Sequence, residues 1–434
     1  MNAPHKFVNW AATESSNPEK FLKPSNQEEL VEIVNSAINA NSKIRVVGAG
    51  HSWSSVACTD HWLITLDNYC NVLSIDKEAK QITVEAGLRI KELNVILKDN
   101  GLALSNLGSI SEQSIAGAIS TGTHGTGIKF SILSTQILAL TLVNGKGELV
   151  SLDHEKDADL FKAALVSLGA LGIISTVTIQ CEELFNLEEF AYPVEFDEGV
   201  KRIPELLKEH EHMKLWWFPH VKELQVYCQN RTKAEHLNTG LFIRWVDEKI
   251  LAKYIFTFLL NLGLWFPTLT APINRIIKIL KFKKEHRIDY SYRVFNTPMP
   301  PKHHEAEYAI PVEKAGEAML QIRKMIDERR LHVNFLMEVR FVKADDCLIS
   351  PAFGRDTCYV GAYKAGDRGW KEYLHGFEEI MAAYDGRPHW GKEFSIDKNA
   401  IGQLYPELER FQAVREQMDP NNVFANRFVR EYIM

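Results

Sequence analysis

Residues 43 to 53 read Lys43-Ile44-Arg45-Val46-Val47-Gly48-Ala49-Gly50-His51-Ser52-Trp53. A short apolar run ending in two glycines one residue apart is a strand feeding a tight turn, a common way to bring backbone close to phosphate. Two residues set this turn apart. The sixth position of the dinucleotide fingerprint needs a third glycine for close helix–strand packing, and here it is Trp53. Asp67 stands about where a ribose-binding acid is expected, but short strands rather than a helix separate it from the turn. A plain Rossmann domain is therefore a poor fit. His51, directly behind the second glycine, puts an imidazole nitrogen where a bound cofactor would lie, close enough to bond to it.

The 434 residues suit two or three domains, and the net charge of −6 argues against a general nucleic-acid binder. Six cysteines are scattered with no Cys-x-x-Cys pair and no zinc spacing, so they read as buried thiols of a reducing compartment. Met1 to Ser15 lacks an apolar run behind basic residues, so no signal peptide is read, and a cytoplasmic or peripheral-membrane location is expected. Tyr254 to Asn274 carries no charge and is long enough for a membrane span. Pro267 and Pro272 break it, Asn261 and Gly263 weaken it, and Lys249, Lys253, Arg275, Lys278, Lys281, Lys283 and Lys284 flank it. It reads as a buried helix pair or a segment in contact with a membrane surface.

Periodicity organises the rest. Ser25-Asn26-Gln27-Glu28 reads as a capping box for a helix carrying Leu30, Ile33, Val34, Ala37 and Ile38. Strands are expected at 43–47, 63–66, 72–75 and 82–85, then a helix over 88–99 ended by Asn100-Gly101. A strand over 135–143 turns at Asn144-Gly145-Lys146-Gly147 and returns through 148–152, and a helix over 157–167 leads to a strand over 173–180. Past Cys181, aromatic-rich strands (215–218, 334–341, 357–363) alternate with helices such as 312–328, as in an antiparallel sheet with helices on one face. The tail from about Tyr384 reads as helix and loop.

A second segment, Ser109 to Gly127, contains four glycines, seven hydroxyl side chains and no lysine or arginine. Such a run lets backbone and hydroxyls approach a pyrophosphate. Ser114 is placed to cap a short helix, and Ile115, Ala116, Ala118 and Ile119 interrupt the polar run as an ordered segment would. A third glycine pair, Gly169 and Gly172, opens the strand with Ile173 and Ile174.

Taken together, Gly48-Ala49-Gly50-His51-Ser52, the Gly/Ser/Thr segment and Gly169-Ala170-Leu171-Gly172 resemble the FAD domain of vanillyl-alcohol-oxidase-type flavoproteins. Within that group the chain is similar to the aldonolactone oxidases of the L-gulonolactone type. The resemblance is carried by Val84-Glu85-Ala86-Gly87, 101–108, Gly122-Thr123-His124-Gly125-Thr126-Gly127 and Trp217-Phe218-Pro219-His220. Further on it rests on Glu338-Val339-Arg340-Phe341, Gly386-Arg387-Pro388-His389-Trp390-Gly391-Lys392 and 419–424. It implies an α+β protein: a two-subdomain FAD-binding domain over 1–182, a cap over 183–383 with an antiparallel sheet flanked by helices, and a segment over 384–434 that completes the flavin site. The FAD contacts it implies are Val46, Val47, Gly48, Ala49, Gly50, His51, Ser52, Gly108, Ser109, Ser114, Gly117, Thr121, Gly122, Thr123, His124, Gly172, Ile173 and Ile174, with His51 joined to the flavin 8α carbon.

Glu338 and Arg340 lie two apart on a strand and so face one side. Alone, such a pair reads as a surface salt bridge, and Lys392 as a solvated lysine. The resemblance places all three around the substrate. It implies oxidation of an aldono-1,4-lactone at C2, with hydride passing to flavin N5 and dioxygen then giving hydrogen peroxide, and a 2-keto lactone that enolises to ascorbate or an analogue. Gly108 fits the oxidase pattern, since the family's dehydrogenases carry alanine at the matching place. Gly361 and Tyr363 stand where alditol oxidases carry histidine and threonine, which favours a lactone ring over an open polyol. The alternatives are a lactone dehydrogenase feeding a cytochrome or quinone, an alditol oxidase, and a membrane-docked electron-transfer flavoprotein. His303-His304 with Glu305 and Glu307 lacks the spacing of a metal helix, and Pro300-Pro301 before it reads as loop, so no metal is expected. The 278–284 lysines read as a membrane-facing or solvated flank.

Overall fold

The computed structural model describes residues 6–237, 254–297 and 301–434. Lys249, Lys253 and Pro300 lie outside them. The N-terminal part is built on two sheets. The strand Ile44–Val47 pairs in parallel with Trp62–Thr65, which pairs in parallel with Lys20–Leu22. Five antiparallel strands form the second sheet, in the order Leu149–Asp153, Ile137–Asn144, Gly172–Gln180, Gln81–Glu85 and Val72–Asp76. Helix Gln27–Asn39 covers them with Leu30, Val34 and Ala37. Its cap sits one residue later than the sequence suggests. Asn26 accepts from the Glu29 amide at 2.8 Å, and the Glu29 carboxylate accepts from the Ser25 amide at 2.8 Å. Strand Ile137–Asn144 begins late because residues 133–136 form a 3-10 turn.

The second half carries an eight-stranded antiparallel sheet. Its order is Glu285–Tyr290, Asn186–Glu195, Glu223–Thr232, His212–Trp217, Met337–Val342, Thr357–Lys364, His304–Pro311 and Arg387–Pro388. Two expectations are corrected here. Residues after Pro301 form a strand, not a loop, and the tail adds an edge strand before its helices.

Alternation makes the sheet's two faces chemically opposite. On one, Met213, Leu215, Trp217, Val339, Phe341, Val360, Ala362, Tyr308 and Ile310 are buried against helices Ala315–Glu328 and Trp370–Ala382. Each large apolar side chain buried there stabilises the fold by roughly 1.5–3 kcal/mol. The other face presents Lys214, Trp216, Glu338, Arg340, Tyr359, Tyr363, Glu305 and Glu307. Cross-strand register aligns them: Glu338 lies between Trp216 and Gly361, and Arg340 between Lys214 and Tyr359. Glu305 faces Tyr363, and Glu307 faces Gly361. Such polar groups are tolerated at a buried face only when paired or needed by a ligand.

The uncharged segment folds as two helices, Phe256–Trp265 and Thr270–Lys281, joined through Pro267–Leu269. Pro272 falls in the first turn of the second helix, where its missing donor costs nothing. Leu260, Ile273 and Ile277 enter a small core with Phe218 and Phe335, while Phe258, Trp265, Phe266, Ile276 and Ile279 stay exposed. Among the described residues no helix is long and apolar enough to cross a membrane.

Candidate active site

Two cavities meet at His51. The first is walled by Val46, Val47, Gly48, Ala49, Gly50, His51 and Ser52, by Ser114, Gly117 and Thr121, and by Gly172 and Ile174. Glycine is required at the closest approach: a Cβ on Gly48 would lie 2.4 Å from Ser114 Oγ. Gly50 holds φ +68°, a left-handed conformation that turns the chain into His51. The sequence argument missed Arg45, a buried cation in an apolar strand. Its guanidinium bonds only to the carbonyls of Gly169, Phe424, Val56 and Leu168, and its Nε has no partner. Burial depresses its pKa to about 10, so it keeps its charge, with no ion pair among the described residues. Asp67, paired with Arg89, also lines this cavity. A glycine-lined wall, hydroxyls and an unneutralised buried cation fit a phosphate-bearing cofactor such as FAD.

The second cavity brings together Gly108, Ser109, Thr123 and His124 with Glu338, Arg340 and Lys392, residues up to 284 positions apart in sequence number at Gly108 and Lys392. His51, Ser52 and Thr121 border it too. Gly122 and Ile173 line neither cavity. Gly122 makes a turn at φ +70°, and Ile173 points into the core, opposite to its neighbours Gly172 and Ile174. Trp10, Trp53, His303, Glu305, Glu307, Tyr363 and His389 complete the wall. Trp53 explains itself here. Its amide donates to Gly391 O at 2.7 Å and its Nε1 to His303 O at 2.7 Å, so it ties the glycine turn to the tail and to the start of the strand His304–Pro311 in the eight-stranded sheet.

The charges are mutually arranged. Glu338 Oε1 accepts from Trp216 Nε1 at 2.8 Å, and Oε2 accepts from Arg340 Nη2 at 2.7 Å and Tyr363 Oη at 3.2 Å. Burial pushes its carboxyl up, but Arg340 and then Lys214 outweigh this and hold it below the usual carboxylate range. Arg340 also donates to Ser109 Oγ at 2.6 Å, and its Nε is buried with no partner. Lys392 Nζ sits 2.5 Å from Glu305 Oε1 and 4.0 Å from the centre of the Trp53 ring. His51 packs on Trp10 with ring centres 5.3 Å apart. Burial first, and then Lys392, lower its pKa to about 4, which keeps the imidazole neutral with a lone pair available.

His124, Glu307 and His389 approach within 4.8 Å and invite a metal reading. The hydrogen bond at His389 argues otherwise. His124 Nδ1 donates to Gly125 O at 2.9 Å, turning Nε2 to Glu307 at 3.3 Å. His389 Nδ1 accepts from the Gly391 amide at 3.0 Å, so its neutral ring carries the proton on Nε2 and donates rather than ligates. Burial lowers the His389 pKa to about 3, consistent with that neutral form.

Comparison with known proteins places this geometry. A family model described as FAD binding domain matches residues 18–153, and one described as D-arabinono-1,4-lactone oxidase matches 177–432. The chain is 37% identical to the L-gulonolactone oxidase of Bos taurus, covering 98% of each chain. It is 34% identical to the L-gulono-1,4-lactone dehydrogenase of Mycobacterium tuberculosis, covering 98% of this chain and 99% of that one. A solved cholesterol oxidase from B. sterolicum superposes with a TM-score of 0.82 over 100% of this chain and 97% of that one, at 17% identity, which speaks to the fold. With a match of this length over both halves, the fold is of the vanillyl-alcohol-oxidase type and the chain belongs to the D-arabinono-1,4-lactone oxidase family, with an FAD-binding domain on its N-terminal side.

Proposed function

We propose that the protein oxidises an aldono-1,4-lactone at its C2 hydroxyl with FAD held across the two cavities. The observation that carries this is the buried Glu338 carboxylate, paired with Arg340 and bonded to Tyr363, in a cavity that opens onto His51. When bound, FAD supplies the hydride acceptor. The chain's residues do the rest. Glu338, kept ionised by its cations, accepts the hydroxyl proton of the lactone. Arg340, whose side chain lines the cavity, stabilises negative charge on the substrate oxygen. Lys392 is a second cation, aimed by Glu305 and seated on Trp53. A Cβ at Gly361 would lie 3.0 Å from Tyr363 Oη, so glycine there lets the tyrosine reach Glu338. That arrangement favours a compact ring over an open polyol.

Dioxygen is the proposed electron acceptor. A Cβ on Gly108 would lie 3.1 Å from His124 O and 3.2 Å from Thr123 Cγ2, so alanine would press on this wall of the cavity. The test is a panel of gulono-, galactono- and arabinono-1,4-lactones with peroxide detection. Peroxide formed with each lactone oxidised, and the 2-keto lactone or its enediol as product, is the expected result. Turnover with a dye or cytochrome and none with oxygen selects a dehydrogenase.

A covalent bond from His51 to the flavin is part of the proposal, supported by its neutral ring at the junction of the cavities. Acid-precipitated protein is expected to keep its yellow colour, and His51→Ala protein to release all flavin to the supernatant. Flavin fully released from the unmodified protein removes this claim.

The exposed apolar face of the helix pair favours a second reading, contact with a membrane surface. Trp265 is 68% and Ile279 70% exposed, beside Lys278 and Lys281. Sedimentation with anionic vesicles is expected to fall about tenfold in Trp265→Glu/Ile279→Glu protein. Equal sedimentation of both proteins rejects the contact.

A further inference from the structure

The Lys392–Glu305 pair has a second pair at its back. His304 Nδ1 lies 2.9 and 3.1 Å from the two carboxylate oxygens of Glu393, and Nε2 lies 2.7 Å from Asp367 Oδ1. Glu393 also accepts from Trp370 Nε1 at 2.9 Å and from the Glu305 amide at 3.3 Å. The Glu393 amide donates to Glu305 O at 2.9 Å. The Trp370 ring stacks on His304 with centres 5.2 Å apart. The start of strand His304–Pro311 and the segment 391–393 are thus bound by backbone and by two ion pairs on successive residues. Glu305–Lys392 faces the cavity, and His304–Glu393 faces away from it.

Building on the reading that Lys392 serves the oxidation, we propose that His304 is a positioning residue whose imidazolium clamps Glu393 and so fixes Lys392 in the cavity, and that the clamp loosens when the ring loses its proton.

The geometry requires the charged ring. Both nitrogens face carboxylates, which only accept, and a neutral imidazole has one N–H to give. Only the imidazolium satisfies both neighbours. Burial opposes that charge, but the bonds to Glu393 and Asp367 outweigh it and raise the pKa above the ordinary imidazole value. Other charges surround the cluster. Lys364 lies opposite His304 in register, and Arg368 follows Asp367. Glu14 feels both Arg427 and Glu393. Because the folded pKa is raised, the clamp is complete below it and is lost as pH rises through it. His304 does not line the cavity, so its effect reaches the substrate only through the aim of Lys392.

The test is the pH dependence of kcat/KM for the flavin-loaded enzyme and its His304→Gln, Asp367→Asn and Lys392→Met variants. Unmodified enzyme is expected to lose kcat/KM on an alkaline limb. Glutamine cannot donate to both carboxylates and does not titrate. His304→Gln is expected to fall about tenfold at neutral pH, as small misplacements of a reacting group do, and to lose that limb. Asp367 is 97% exposed, so Asp367→Asn leaves the core packing untouched and is expected to move the limb to lower pH. It carries the test alone if His304→Gln protein does not load flavin. A limb unchanged in both variants overturns the positioning role while leaving the Lys392 reading intact. Unaltered kcat/KM in Lys392→Met overturns the Lys392 reading instead.

Discussion

Arg340→Met is expected to lower kcat/KM for the preferred lactone by about 10²–10³. Methionine keeps much of the stem volume and removes the guanidinium, so three losses fall together. The cation lining the cavity no longer meets developing charge on substrate oxygen, the bond to Ser109 is gone, and Glu338 keeps only Trp216, Tyr363 and the more distant Lys214. The last loss changes the pH profile. Burial is the largest influence on Glu338 and it pushes the carboxyl up; Arg340 is the largest of those that hold it down. A base that must be ionised works above its pKa and fails as pH falls through it. The acid limb is therefore expected at higher pH in Arg340→Met than in the unmodified enzyme. Leaving one partner of a buried pair alone also costs about 3–5 kcal/mol, seen as a lower Tm for the flavin-free protein. Arg340→Lys restores a charge on a shorter side chain that stops short of the Nη2 position, so partial recovery of the acid limb with low kcat is expected. Activity within twofold of the unmodified enzyme would remove Arg340 from the reaction.

Much of the fold was legible because two periodicities are strong in this chain. Leu30, Val34 and Ala37 recur as a helix face, and Met337 to Val342 alternates buried apolar residues with Glu338 and Arg340. What failed was local. Ser25 and Asn26 are both good caps, and the choice between them turns on where the Glu29 carboxylate closes, a three-dimensional matter. The strand after Pro301 was hidden by the proline pair before it. Yet its own alternation is visible: Glu305 and Glu307 on one side, Ala306, Tyr308 and Ile310 on the other. Reading that pattern before the prolines would have placed both carboxylates on the face that carries Glu338.

The site divides in the same way. Glycine turns and their neighbours announce themselves, since few residues can replace a glycine at φ +68° or against Ser114 Oγ. Ile173 came from the resemblance together with Gly172 and Ile174, and strand alternation turns its side chain into the core. Arg45 carries no motif of its own in the sequence. Its charge is made useful by four carbonyls from segments as distant as Gly169 and Phe424, which no local pattern reveals. Trp53 was used only to exclude a dinucleotide fold. Its bonds to Gly391 and His303 give it a constructive part, since it bridges the cofactor turn to the loop that holds Lys392.

Gly48→Ala is expected to leave a folded protein that loads FAD poorly. The added Cβ would lie 2.4 Å from Ser114 Oγ, well inside van der Waals contact, but 3.4 Å from Ser114 Cβ, where real Cβ contacts begin to be comfortable. The clash is therefore with one hydroxyl oxygen. That oxygen is also committed: it accepts from the Gly117 amide at 3.3 Å and caps helix Ile115–Ser120. Either the serine swings away and the cap is lost, at about 1 kcal/mol, or the turn shifts into the cavity. Overpacking of this kind costs about 1–3 kcal/mol, which corresponds to roughly 5- to 150-fold in Kd for a reversibly bound flavin. The binding measurement belongs in a His51→Ala background, where no covalent bond can hide a weak site. Ser114→Ala supplies the decisive comparison. Alone it removes the cap and should weaken FAD binding modestly. Combined with Gly48→Ala it removes the clashing atom and leaves the 3.4 Å contact, so the double variant should bind FAD more tightly than Gly48→Ala alone. A double variant that is weaker by the sum of the two single losses would mean that Gly48 is needed for its backbone conformation and not for the approach of Ser114.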